Sequence, residues 1–318
     1  MLVGLGNVGR RVMQLLLDKG ETIKRRYDLD FQVCGVCDSS GAALFHLDAQ
    51  PAFGLAGALA PKAQGLALGD VLRHKQAGQG VATLPKYGQA GMGARQLVEK
   101  AGADALLEMS PTNLTDGEPG LSAVEAAIER GMCVVLANKG PVVLAYERLA
   151  KEAARKQARL AMSATVAGGL PTVNIGRRDL AGSRIDRIEG VLNGTTNLIL
   201  TKMAEEGMSY ADALALAQHE GHAETDPTLD VEGYDAAVKL LILAHTALDF
   251  HARLEDVERI GITGVSMDEL ARTKQAGRVL KLLCVAERQG EGYRLSVKPT
   301  ALPREHPMAR LNAHQMGV

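Results

Sequence analysis

Residues 2–9 read Leu2-Val3-Gly4-Leu5-Gly6-Asn7-Val8-Gly9, and Arg10 opens a run of helical periodicity that reaches about Lys19. A short apolar stub, three glycines spaced G-x-G-x-x-G and an amphipathic helix make a strand, a tight turn and a helix. A second apolar run, residues 31–37, follows and ends at Asp38. The glycine pattern alone is a weak signal. Set between a strand and a helix, with an acid closing the next strand, it matches a dinucleotide cradle. Glycines let the backbone approach a pyrophosphate, the helix N-terminus faces its charge, and the acid reaches a ribose hydroxyl. Gly4, Leu5, Gly6, Asn7, Val8, Gly9 and Asp38 are therefore cofactor-binding candidates. The spacing to Asp38 is long, and a polar insert over residues 21–30 accounts for it.

Outward from that loop, strands are expected at residues 103–109 and 133–137, with helices at 121–130 and 142–156. The alternation implies a mostly parallel sheet. Ligands bind beyond the C-terminal ends of such strands, and Ser110, Thr112 and Lys139 all fall just past one. Residues 54–93 are rich in Gly and Ala, with a helical patch at 70–76 and little strand character. The fold class expected is α/β: an N-terminal Rossmann domain over residues 1–140, then an α+β domain over 141–318. In that second part a Gly-rich turn spans 165–171, and a strand at 185–191 leads into a loop at 192–197 and a helix at 198–206. Ser209 with Asp212 reads as a capping box. A helix at 267–275 precedes paired strands at 278–286 and 293–298.

The most chemically loaded stretch is 217–239, AQHEGHAETDPTLDVEGYDAAVK. Asp230 is a plausible N-cap for a helix whose run 236–248 is apolar on nearly all sides. Lys239 sits inside that helix, with Asp235 one turn earlier on the same face. Desolvation weakens an ammonium's hold on its proton and a nearby carboxylate strengthens it, a balance suited to a proton donor and acceptor. A snorkelling lysine with an ion pair is the plainer alternative. His222, Glu224, Asp226 and Asp230 line the irregular segment feeding the helix, and loops on a rigid scaffold carry binding residues.

Composition excludes several classes. The 318 residues are 46% hydrophobic and 23% charged, with 36 Lys and Arg against 37 Asp and Glu. A net charge of −1 gives no electrostatic reason to expect nucleic acid or an anionic membrane as partner. No apolar run is long enough for a membrane span, and the N-terminus lacks a signal-peptide layout. Cys34 and Cys37 have redox-motif spacing, but in a strand residues three apart face opposite ways. Reduced thiols and a cytoplasmic setting follow. His219 and His222 lack the spacing of a catalytic zinc site.

The 217–239 stretch resembles the signature of homoserine dehydrogenases. Its fixed points are Ala217, Gly221, His222, Ala223, Asp226, Pro227, Asp230, Val231, Gly233, Asp235 and Lys239. The Gly4–Gly9 loop, Asn138-Lys139 after a strand, and Asn193-Gly194-Thr195 match the family as well. The resemblance covers nearly the whole chain and is to the short form, without an ACT or aspartokinase domain. It implies NAD(P)-dependent interconversion of L-aspartate 4-semialdehyde and L-homoserine, on the way to threonine, methionine and isoleucine, by a homodimer formed around residues 270–297. Carried over by position, Lys239 is the acid/base, Asp235 binds substrate and orients it, and Lys139 is a second catalytic cation. Gly194, Thr195, His222, Glu224 and Asp230 bind substrate, Glu224 holding its amino group. Ser110, Lys139 and Gly221 lie towards the cofactor. A structural sodium ion would sit on backbone oxygens of Val166, Gly168 and Leu170, although Ser163 stands where the family has a glutamate. Related enzymes continue past the position of Val318 with a strand and a helix.

Two rival readings remain. A semialdehyde-oxidising dehydrogenase would need a cysteine nucleophile, and Cys133 lies within a strand rather than after one. A non-catalytic dinucleotide sensor would not need Lys239 and Asp235, and both are present. Asp38 suits NAD(H), whereas Ser39, Ser40 and Arg10 could accommodate the 2′-phosphate of NADP(H).

Overall fold

In a computed structural model of the chain, residues 1–45 and 65–318 are described. The chain divides into two compact units, Met1–Met162 and Ser163–Val318.

Among the described residues the first unit has a seven-stranded sheet in the order β4-β3-β2-β1-β5-β6-β7. Strands β1 (Leu2–Val3), β2 (Gly35–Asp38), β5 (Ala105–Glu108), β6 (Cys133–Leu136) and β7 (Leu160–Ala161) run parallel. Strands β3 (Gly41–Leu44) and β4 (Gly88–Ala90) extend the edge antiparallel to β2. Neither was expected, and β4 lies in the stretch read as poor in strand. The part of that stretch over residues 54–64 lies outside the described residues. Helices α1 (Asn7–Tyr27), α2 (Leu68–Gln76), α3 (Ala94–Lys100), α4 (Gly120–Glu129) and α5 (Gly140–Arg155) connect the strands. Helix α1 runs well past Lys19 and absorbs most of the expected polar insert, ending on basic Lys24, Arg25 and Arg26, which suit a helix C-terminus. Its buried Met13 meets Leu2, Leu5, Val36, Ala43, Val71 and Leu72 in one apolar cluster. The division between units falls after Met162 rather than at residue 140. The reason is β7, which pairs with β6 through Val134 and Val135 and so ties α5 to the first sheet.

In the second unit a long antiparallel hairpin, β10 (Arg278–Gln289) with β11 (Gly292–Pro303), is flanked by β8 (Arg187–Gly190) and β9 (Val257–Arg259), giving the order β8-β10-β11-β9. The helices are α6 (Thr172–Asn174), α7 (Gly194–Glu206), α8 (Tyr210–His219), α9 (Thr228–Val231), α10 (Tyr234–Ala247) and α11 (Met267–Gln275). Helices α7, α10 and α11 all pack on β10. The segment 194–197, expected as loop, is the first turn of α7. Ser209 caps α8, its Oγ accepting the Asp212 N–H at 3.1 Å. Asp230 is not the N-cap of α10. It belongs to α9, and Gly233, at φ +79°, makes the corner between the two helices. A left-handed corner of this kind suits glycine. Among the described residues no helix is long and apolar enough to cross a membrane.

Candidate active site

In the first unit the glycine loop is shaped by close approach. A Cβ on Gly4 would stand 2.3 Å from the Met109 carbonyl carbon, and one on Gly9 would stand 2.1 Å from the Gly4 oxygen. These two positions let β5 and α1 close on the loop. A Cβ on Gly6 would meet nothing within 4 Å, so the crest of the loop faces open space. No side chain caps α1 and its first turn carries no acid. Its leading N–H groups and the positive end of its dipole are therefore available to an anion, and these residues fit a dinucleotide pyrophosphate.

Asp38 ends β2 as expected, but its carboxylate is already occupied. Oδ1 accepts the Ser40 N–H at 2.9 Å and the Ser40 hydroxyl at 2.6 Å. Oδ2 accepts Lys75 Nζ at 2.6 Å and the Val81 N–H at 3.1 Å. Burial pushes the carboxyl up, but the bonds from Lys75, Ser40 and Val81 outweigh it and hold it below the usual aspartate range. A carboxylate has about four acceptor sites. A ribose hydroxyl would therefore have to displace or share one of these donors. Lys75, on α2, was not singled out from the sequence.

Ser110 sits at the end of β5 but is turned inward. Its N–H and hydroxyl both bond Glu108 Oε1, the N–H at 2.8 Å, and Asn138 Nδ2 donates to its Oγ at 3.2 Å. Glu108 is fully buried, and burial raises its pKa above the ordinary value, more than the bonds from Ser110 and Asn138 lower it. Asn138 also accepts the Gly140 N–H at 2.9 Å and so fixes the start of α5. Lys139 is the N-cap of that helix. A cation at a helix N-terminus opposes the dipole, a placement that favours an anionic ligand nearby.

The second unit brings most of the other candidates together. Lys239 is the one position between Ala236 and Thr246 of α10 that is not buried. Its Nζ lies 2.7 Å from Asp235 Oδ2 and donates to the Leu192 carbonyl at 2.7 Å. Both side chains of the pair are about six-sevenths covered, at 14% and 15% exposure. Of the ammonium's three donors, two are so placed, which leaves one for a substrate oxygen. Asn193 caps α7 through its Oδ1 and gives its amide to both Asp230 Oδ1, at 2.6 Å, and Asp235 Oδ2, at 2.9 Å. Burial raises the Asp230 carboxyl, with the Asp235 charge adding to the effect, against the bond from Asn193. Thr195 donates its hydroxyl to the His222 carbonyl at 2.7 Å, joining α7 to the Gly221–Glu224 segment. Gly194 offers space, since a Cβ there would meet nothing within 4 Å. Gly221 and Glu224 are exposed, and Glu224 is engaged through its carbonyl, which takes Gln218 Nε2 at 3.1 Å. Asn193 and the Leu192 carbonyl were not among the candidates. An Asn ahead of Gly-Thr-Thr at a strand end is a readable N-cap signal, whereas a backbone carbonyl carries none.

The expected sodium site gains no support from side chains. The turn is present, with Ala167 at φ +54° and Gly168 at φ +58° and a bond from Leu170 N to Ala167 O at 3.1 Å. Ser163 supplies a hydroxyl where a carboxylate would balance the cation's charge. Among the described residues no group of three or more His, Cys, Asp or Glu could hold a metal. The thiols Cys34, Cys37 and Cys284 are buried and Cys133 is exposed, all four are free, and burial raises Cys37 to about 11 and Cys284 to about 12, away from thiolate character.

A parallel-sheet unit whose glycine loop fits a dinucleotide pyrophosphate, and a second unit with a largely covered Lys239–Asp235 pair, suit a nicotinamide-dependent oxidoreductase. Comparison with known proteins narrows the class. The homoserine dehydrogenase family profile matches residues 171–318. A homoserine dehydrogenase of Methanocaldococcus jannaschii is 33% identical over 308 residues, 97% of this chain and 85% of that protein. An NAD(+)-dependent homoserine dehydrogenase of Pseudomonas canavaninivorans is 33% identical over 98% of this chain and 84% of its own length. A crystal structure of a putative homoserine dehydrogenase from Archaeoglobus fulgidus superimposes with a TM-score of 0.81 at 32% identity, covering 98% of this chain and 86% of that one. The chain belongs to the homoserine dehydrogenase family, NAD(P)-dependent oxidoreductases acting on CH–OH groups.

Proposed function

We propose that the chain interconverts L-homoserine and L-aspartate 4-semialdehyde with Lys239 as the acid/base. The observation that carries the assignment is the geometry of Lys239, fixed by Asp235 and the Leu192 carbonyl with one donor to spare. A bound nicotinamide cofactor would supply the hydride acceptor for the alcohol carbon and the hydride donor for the aldehyde carbon. In the oxidation, neutral Lys239 takes the hydroxyl proton as the C–H bond breaks. In the reduction, its ammonium stabilises charge growing on the aldehyde oxygen and delivers the proton. Asp235 binds substrate and orients the lysine, while Asp230 and Glu224 offer carboxylates to the amino group. Thr195, Gly194 and His222 shape the space around it. By the family resemblance Lys139 serves as a second cation and Gly221 as a cofactor-binding residue. Gly4 to Gly9 hold the pyrophosphate.

Both cofactors are accepted, because Lys75 balances the charge of Asp38 and the end of β2 neither strongly favours the bare diol nor strongly repels a 2′-phosphate. The enzyme works in the cytoplasm, on the route to threonine and methionine, as a homodimer formed through residues 270–297. Supporting the dimer is the family membership, since the apolar side chains of Leu280, Leu282, Leu283 and Cys284 in β10 are already buried within the protomer. Sedimentation showing only 33.7 kDa particles at micromolar concentration would contradict it. Spectrophotometric assay of homoserine oxidation with NAD(+) and with NADP(+) tests the activity. Turnover with neither would overturn the assignment, and strict dependence on one would overturn the dual-cofactor reading.

A further inference from the structure

We infer that Lys281 and Asn197 are positioning residues, which through residues 311–317 fix the Leu192 carbonyl that receives the Lys239 ammonium. The inference rests on the role proposed for Lys239.

Asn193 at the N-cap of α7 is followed within the helix by Asn197 and Thr201, which stand four residues apart and so along one face. Asn193 serves the site. Asn197, fully buried one turn later, donates both amide hydrogens to backbone, the Asn312 carbonyl at 2.7 Å and the Gln315 carbonyl at 2.9 Å. Its Oδ1 accepts Lys281 Nζ at 2.7 Å. Lys281, on β10 and only 2% exposed, gives its other hydrogens to the Leu311 carbonyl at 2.9 Å and the Thr201 hydroxyl at 3.3 Å. The ammonium thus spends every donor on a neutral oxygen. Burying a cation in this way costs stability, and an apolar residue of the same volume would pack as well or better. Stability therefore does not account for the lysine.

What the pair grips is backbone: three carbonyls within residues 311–315. Two residues further on, Gly317 bridges Val191. Val191 N donates to Gly317 O at 2.8 Å, and Gly317 N donates to Val191 O at 3.2 Å. The next residue, Leu192, is buried and offers its carbonyl to Lys239. A connected line runs from Lys281 and Asn197, through 311–317, to Val191, Leu192 and Lys239. The same segment touches the signature loop once more, the His314 ring lying 5.4 Å from the His222 ring. Loosening the grip frees the Leu192 carbonyl and removes one of two fixed acceptors from the ammonium.

The test compares Lys281→Met and Gln315→Ala with wild type and Lys239→Ala. Gln315 is exposed, and its side chain only braces the turn by accepting the Asn312 N–H at 3.1 Å, so this variant folds if Lys281→Met does not. Homoserine oxidation is followed against pH, below the melting temperature of each protein. The inference expects kcat to fall roughly 10–100-fold in Lys281→Met, and less in Gln315→Ala, with cofactor KM unchanged. It also expects the rising limb of the kcat profile to move to lower pH, because an ammonium that loses an acceptor gives up its proton more readily. Folded variants that leave kcat and the limb in place, whatever their melting temperature, would overturn the inference. If Lys239→Ala abolishes the limb while both other folded variants keep it unshifted, the role of Lys239 stands and only the positioning line fails. If the limb survives Lys239→Ala, both fail together.

Discussion

Replacing Lys75 by methionine tests how the end of β2 discriminates between the two nicotinamide cofactors. Lys75 Nζ stands 2.6 Å from Asp38 Oδ2, and the side chains are 18% and 8% exposed. Methionine leaves the carboxylate with only the Ser40 and Val81 donors and an unbalanced charge. A unit charge ~8 Å from a 2′-phosphate, at an effective dielectric of about 20, interacts by roughly 2 kcal/mol. Salt at physiological strength brings that towards about 1 kcal/mol. The ratio of kcat/KM for NADP(H) over NAD(H) should therefore fall roughly 5–30-fold. Asp38→Asn leaves the ammonium without its carboxylate and should raise the ratio by a similar factor. Each single variant should lose about 1–3 kcal/mol of stability, since each strands a mostly buried partner. The double variant should recover part of that loss and return the ratio towards wild type. Initial rates of homoserine oxidation with each cofactor supply the ratio, and melting curves confirm that the proteins are folded. Ratios unchanged in both single variants would refute the placement of the pair at the adenosine ribose.

Asn193→Ala should cost about 1 kcal/mol as a lost helix cap and lower kcat roughly 10–100-fold, because Asp230 and Asp235 lose the amide between them. Steady-state kinetics showing an unchanged kcat would mean that Asp235 needs no such support. Lys281 offers a pH test of stability. Burial lowers it to about 8 in the folded protein against 10.5 when exposed. A lysine lowered on folding costs stability fully below its folded value, here ~3 kcal/mol, and the cost fades as pH rises towards the unfolded value. Wild type should thus gain on Lys281→Met between about pH 8 and 10.5 in urea denaturation, and parallel curves would contradict this.

The glycine loop, α1 and the parallel strands were legible because their signals are local. A turn, a periodic helix and short apolar runs follow one another within the first forty residues. Strands β3 and β4 were not legible, since Gly41–Leu44 and Gly88–Ala90 are short and made largely of Gly and Ala, and are strands only through antiparallel pairing outward from β2. The short strand expected before Ser163 is present as β7, but nothing local shows that it pairs with β6, so the boundary was drawn ahead of it. At the site, Lys239 and Asp235 were readable from a four-residue spacing on an apolar helix. Lys75 was not, because it reaches Asp38 across 37 residues of sequence. Glu108 and Lys281 did leave a trace, each being a charge inside an apolar strand, where an ionisable group needs a purpose.

Lys239→Ala is the direct test of the central claim. Homoserine oxidation should fall ~10²–10⁴-fold in kcat, the usual worth of a positioned acid/base. Cofactor affinity should hardly change, and Lys239→Arg should not rescue, because a guanidinium stays protonated. The wild-type rate should rise with pH through one ionisation that the alanine variant lacks. An alanine variant with near-normal kcat, or one that keeps that ionisation, would reduce Lys239 to an ion-pair residue and move the search for the acid/base to Lys139.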